Sequence, residues 1–138
     1  MPPVAAPAGV YLPAVRSGSL VFTAGQLPLV DGMLAATGKL GAEIDPARGH
    51  ELARTCALNA LAAVDALVGL DAVVRVVKVV GFVASAPGFT DQPVVINGAS
   101  ELLGEVFGAA GTHARSAVGV AELPMGAPVE IELVVEVS

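Results

Sequence analysis

One cysteine, one tyrosine, two histidines and no tryptophan leave this chain poor in the residues that most often bind metals, form disulfides or stack on bases. Cys56 alone makes no internal disulfide, and with only His50 and His113 to join it no metal-ligand cluster is expected. Charge is also scarce, at 14% of residues against roughly one-quarter in ordinary soluble domains. The formal net charge of −6 repels phosphate backbones, so nucleic-acid binding is disfavoured. No uninterrupted apolar run approaches the ~18 residues of a spanning helix. The opening MPPVAAPAGVYLPAV lacks a basic head followed by an apolar core, so neither a signal nor a transit peptide is expected, and the predicted location is cytoplasmic. GxSxG, HExxH, P-loop, CxxC and GxGxxG motifs are all absent.

What the chain does have is apolar surface: 54% of its 138 residues are hydrophobic. That length suits one domain, here 1–138 with residues 1–9 as a loose Pro/Ala-rich arm. So little charge on so greasy a chain predicts contact between subunits. SLVFTAGQLPLV, residues 19–30, begins as a strand, and Asp31-Gly32 turns it into a hairpin with Met33–Ala36 as the return. Leu52, Cys56, Ala60, Ala63 and Leu67 recur at helical spacing, so a helix is predicted from Pro46 to about Val68, capped by Asp45 and stopped by Gly69. Valine-rich Val73–Ala84 reads as an interior strand. Phe89–Phe107 reads as a second helix, and Arg115–Glu122 and Val129–Val137 as closing strands. The order ββ-α-β-α-ββ predicts an α+β fold with two helices on one face of a mixed sheet. Unprotected apolar sheet on the other face is then available to further copies.

Arg115 is the sharpest chemical signal. It is permanently charged, it lies among Ala114, Ala117 and Val118, and its fork fits a carboxylate bidentately. That carboxylate is either a substrate's or that of Glu130, the second case being a structural ion pair. Glu130, Glu132 and Glu136 share the strand face opposite Val129, Ile131, Leu133, Val135 and Val137. A carboxylate there is a solvated surface group or, with its pKa raised by apolar surroundings, a general base for water; the pattern does not choose among the three. Asn97, in the second helix beside Gly98, offers an amide to a cleft or to solvent. Tyr11 precedes the first strand with its hydroxyl at a rim. Gly25 sits mid-strand, which marks a bulge or a close backbone approach. His113 lies two residues before Arg115, on the same side of an extended chain, and otherwise reads as a loop residue. Cys56, on the apolar helix stripe, reads as a buried inert thiol and His50 as a surface residue.

GQLP at 25–28, the segment ending in Asn97-Gly98, ARSAV at 114–118 and LP followed by PVEIE at 128–132 resemble, in this order and over nearly the whole chain, the Rid (YjgF-like) family of enamine/imine deaminases. The stretches around 89–108 and 113–130 are similar to a longer subgroup labelled endoribonuclease L-PSP/chorismate mutase-like. The resemblance implies a chorismate-mutase-like fold, a homotrimeric barrel and a site in each intersubunit cleft. It also implies hydrolysis of small 2-imino or enamine carboxylic acids to 2-keto acid and ammonia, without a cofactor. By the same resemblance Arg115 grips the carboxylate and Glu130 positions the attacking water. Asn97, Tyr11 and the backbone at Gly25 match further binding positions. Three departures stand out: Ala117 where a cysteine is common, Gly119 where a larger or acidic residue is common, and His113 where proline is common. The first two widen the pocket. A non-catalytic carboxylate-binding protein on the same scaffold is the alternative, and an endoribonuclease a weaker one.

Overall fold

A computed structural model describes all 138 residues. Asp45 starts α1 (Pro46–Val68) by accepting the Arg48 backbone N–H at 2.8 Å, and Pro46 occupies the first turn, where no N–H is needed. Gly69, at φ 80°, ends the helix. The predicted stripe is buried from Leu52 through Ala63, but Leu67 emerges into solvent, so the apolar face closes one turn early. α2 (Gln92–Phe107) starts three residues later than predicted, because Pro87-Gly88 turns the chain and the Phe89 N–H closes onto the Ala86 carbonyl instead. Gly98 lets the two helices touch backbone to backbone: a Cβ there would stand 2.8 Å from the His50 carbonyl carbon.

The helices cover one face of a five-stranded mixed sheet made of β1 (Ala14–Ser17), β2 (Leu20–Thr23), β5 (Val73–Ala84), β6 (Ala114–Val120) and β7 (Val129–Val137). Its order is β1-β2-β7-β5-β6, with β5 and β6 parallel and every other pair antiparallel. The ββ-α-β-α-ββ order therefore holds, and Val76, Val79, Val83, Ile131, Leu133 and Val135 pack beneath the helices. The far face carries Val15, Phe22 and Val118, each more than two-fifths exposed, with Glu130, Glu132 and Glu136 beside them.

The first hairpin differs from the prediction. β2 stops at Thr23 and its partner is the short β1, whereas β3 (Leu29–Val30) and β4 (Met33–Leu34) form a separate two-stranded ribbon around Asp31-Gly32. The cause is a bulge. Phe22 opposes Val134 but Gln26 opposes Ile131, so four steps on one side match three on the other. The Leu133 N–H freed by this slip donates to the Thr23 hydroxyl at 3.0 Å. Asn59, buried in α1, donates to the carbonyls of Leu27 and Leu29 at 3.0 Å each and pins the loop that follows the bulge. The arm, residues 1–13, forms no helix or strand, yet it is tied to the fold where Ala24 donates to the Pro13 carbonyl at 2.8 Å.

Candidate functional site

Arg115 leaves the edge strand β6 on the helix side of the sheet and meets neutral acceptors only. Nη1 donates to Asn97 Oδ1 at 2.8 Å and Ser100 Oγ at 3.1 Å, and Nη2 donates to the Pro93 carbonyl at 3.2 Å, all three on α2. The ion pair with Glu130 allowed by the sequence does not form: the salt bridges join Lys39 to Glu122, Arg48 to Glu51, His50 to Glu101 and Arg54 to Glu105. Of the five guanidinium N–H groups, those on Nε and the remaining one on Nη2 are unused, on adjacent nitrogens suited to a carboxylate. Asn97, one helical step before Gly98, thus aims its amide at the arginine rather than at solvent.

His113 supports this arrangement from behind. Its Nδ1 lies 2.6 Å from the Gly111 carbonyl, which can only accept, so Nδ1 carries the proton. Nε2 then accepts from the Ser100 hydroxyl at 2.9 Å, and the same hydroxyl oxygen accepts from Arg115. Donors and acceptors alternate without conflict from the guanidinium to the loop carbonyl. Ser100 was not legible as a site residue, although its spacing of three from Asn97 puts both on one helix face.

Glu130 lies on the opposite face of β7, across from Phe82 and half-buried. Burial lifts its carboxyl above the ordinary range, and the neighbouring charge of Glu132 adds to the rise. Gly25, at the bulge, makes the room it needs: a Cβ on Gly25 would stand 2.8 Å from the Glu130 carboxyl carbon. That contact separates Glu130 from Glu132 and Glu136, which the alternating pattern could not do. Tyr11 stands in the same region, its hydroxyl accepting the Ala8 N–H at 3.0 Å, and with Gly25 it lines a cavity of about 190 Å³. Cys56 is buried, its thiol raised well above the usual range by desolvation, and takes no part.

The predicted residues therefore fall into two groups: Arg115, Asn97 and His113 around α2, and Glu130, Gly25 and Tyr11 around the bulge. Arg115 aligns through Val79 with Leu133, three residues from Glu130 and two strands away. At ordinary strand spacings that is about 14 Å between Cα atoms, with the side chains on opposite faces. One small molecule does not reach both within a single chain.

No group of three or more metal-ligating side chains occurs, and no helix is long and apolar enough to cross a membrane. The chain matches the family model for endoribonuclease L-PSP over residues 3–137. It is 48% identical over 140 residues to protein TCP17 of Trypanosoma cruzi, covering 100% of this chain and 88% of that one. A solved structure from Agrobacterium tumefaciens is 47% identical with a TM-score of 0.90, over 92% of this chain and 82% of the other. A candidate endoribonuclease from Shewanella oneidensis is 32% identical with a TM-score of 0.95, over 99% and 91%.

Proposed function

The chain belongs to the endoribonuclease L-PSP family, the family of YjgF, whose chorismate-mutase-like fold it shares, and from that premise we propose that it hydrolyses 2-imino or enamine carboxylic acids to 2-keto acids and ammonia. The observation that carries this is Arg115: a full positive charge oriented by three neutral acceptors, facing no carboxylate of its own chain and keeping two N–H groups for one. Glu130 supplies the second element. Its raised pKa makes it a stronger base near neutrality once ionised.

The mechanism follows from these roles. Arg115 grips the substrate carboxylate while Glu130 takes a proton from a water whose oxygen adds to the imine carbon. The carbinolamine nitrogen takes the proton that Glu130 had accepted and leaves as ammonia, while the remaining hydroxyl returns its own proton to the Glu130 carboxylate and becomes the carbonyl of the 2-keto acid. An imine carbon is already electrophilic, so orientation and an aimed water suffice. No cofactor and no covalent nucleophile are needed. Because the side chains of Arg115 and Glu130 lie on opposite faces of the sheet with their Cα atoms about 14 Å apart, the working site draws Arg115, Asn97 and His113 from one copy and Glu130, Gly25 and Tyr11 from its neighbour. A homotrimer with three such clefts meets this requirement and also covers Val15, Phe22 and Val118.

RNA cleavage, which the family's name suggests, has weaker support: the chain is acidic, and both histidines already bond internally, His50 to Glu101 and His113 to Gly111 and Ser100. The deciding experiment measures ammonia released from imines made in situ by an amino-acid oxidase. Wild-type acceleration that Arg115→Ala abolishes is expected. Binding of 2-keto acids without any turnover would instead identify a carboxylate-binding protein.

A further inference from the structure

The cavity beside Gly25 has walls of unusual origin. One side is the arm, through Ala5, Ala6, Pro7 and Ala8; the other is Leu27, Leu29 and the exposed Met125. No charged side chain lines it; its polar residues are Gln26 and Tyr11, whose hydroxyl oxygen accepts from Ala8. The arm is anchored at one end of this wall, where Ala24, immediately before Gly25, donates to the Pro13 carbonyl, and it is braced internally where the Ala8 N–H donates to the Tyr11 hydroxyl. The floor is fixed as well, since Asn59 holds the carbonyls of Leu27 and Leu29.

Met125 is a second, independent pointer. It adopts φ 63° and ψ 13°, a left-handed conformation that is unfavourable for a side-chain-bearing residue. Its side chain is 64% exposed, so no packing in the core accounts for this strain. A flexible thioether held over an apolar cavity fits guests of varied shape and makes favourable contacts with aromatic rings.

Size sets the guest. A dry cavity of about 150 Å³ accepts a benzene ring. At about 190 Å³ this one admits a branched aliphatic or phenyl group, whereas a methyl group leaves most of it empty. We propose that the arm and the Met125 turn form a side-chain pocket selecting 2-imino acids whose side chain is apolar, uncharged and three or more carbons long. The chemistry rests on the deaminase function above; the selectivity rests on the cavity alone. The imine carbon then lies by Glu130 and the side chain passes Gly25 into the pocket.

Each buried methylene is worth roughly fourfold in relative affinity. The imines of leucine and phenylalanine should therefore exceed that of alanine about tenfold or more in kcat/KM, with the imine of aspartate poorest. Ala6→Leu, at an exposed position on the arm, should cut the leucine and phenylalanine rates about tenfold and leave the alanine imine within about twofold. Equal rates for all side chains, or an Ala6→Leu loss equal for all, overturns the pocket while leaving the deaminase function standing. If no imine is hydrolysed, the function fails and calorimetry decides the pocket: 4-methyl-2-oxopentanoate should bind about tenfold more tightly than pyruvate, and equal or absent binding overturns it.

Discussion

Gly25→Ala is the substitution that isolates the geometry of Glu130 from the stability of the fold. The added Cβ would stand 2.8 Å from the Glu130 carboxyl carbon, whereas carbon atoms rest at about 3.5–4.0 Å, so the carboxylate must retreat by about 1 Å. The obstacle is the end of a flexible side chain rather than backbone, which puts the overpacking cost at the low end, about 1 kcal/mol. For a chain of this length that is roughly 4 °C in thermal midpoint. The catalytic consequence is larger, because a misplacement of about 1 Å can cost about 100-fold in rate. Moving the carboxylate outward also rehydrates it, so the acid limb of the pH–rate profile should shift toward lower pH. Ammonia release as a function of pH, with a melting curve for each protein, tests all three. An unchanged rate in a variant whose crystal structure shows a displaced carboxylate would refute the assignment of Glu130 as the water-positioning base. A melting loss well beyond 10 °C would show that the glycine serves the fold instead.

Glu130→Gln tests the raised carboxyl pKa through stability. A raised folded-state pKa favours folding while the group is protonated, so this contribution is present below the ordinary carboxylate range and lost as pH rises through the folded value. The neutral glutamine should thus match wild type in thermal midpoint at acid pH and exceed it at neutral pH, while the rate falls about 100- to 10,000-fold; a lower midpoint at neutral pH contradicts the desolvation. Arg115→Lys keeps the charge but not the fork that serves Asn97, Ser100 and Pro93, and calorimetry should find 2-keto acid binding weakened about 10- to 100-fold. Equal affinity would mean that charge alone suffices. Asn59→Leu strips the Leu27 and Leu29 carbonyls of their donor and should cost about 2–4 kcal/mol in urea unfolding; a loss below about 1 kcal/mol would show that water replaces the amide.

Elements with their own periodicity could be read directly. The Asp45-Pro46 start of α1, its apolar stripe as far as Ala63 and the strict alternation of β7 each encode a burial pattern that the structure keeps. β5, whose run of valines reads as a strand covered on both faces, keeps its place inside the sheet but leaves Val74 and Val77 exposed. β1 escaped because AVRS is four residues long with three exposed, so it carries almost no pattern. The run from Ser19 to Val30 misled because a one-residue bulge is a relation between two strands and leaves no mark on the period of either. At the site, Arg115 stood out as a lone charge among small apolar residues, but its partners lie 15 to 22 residues away on another element. Asn59 did leave a trace, an amide between Cys56 and Ala60 on a stripe that is otherwise apolar. Gly25 raised the right question, and only the distance to Glu130 answers it.

The separation of Arg115 from Glu130 has a genetic corollary. Two inactive alleles, one lacking the guanidinium and the other the carboxylate, should complement each other when co-expressed, since a mixed ring of the proposed trimer regains one intact cleft. Joining both lesions in one allele removes that rescue, and such a chain, mixed with wild type, would silence neighbouring clefts out of proportion to its abundance.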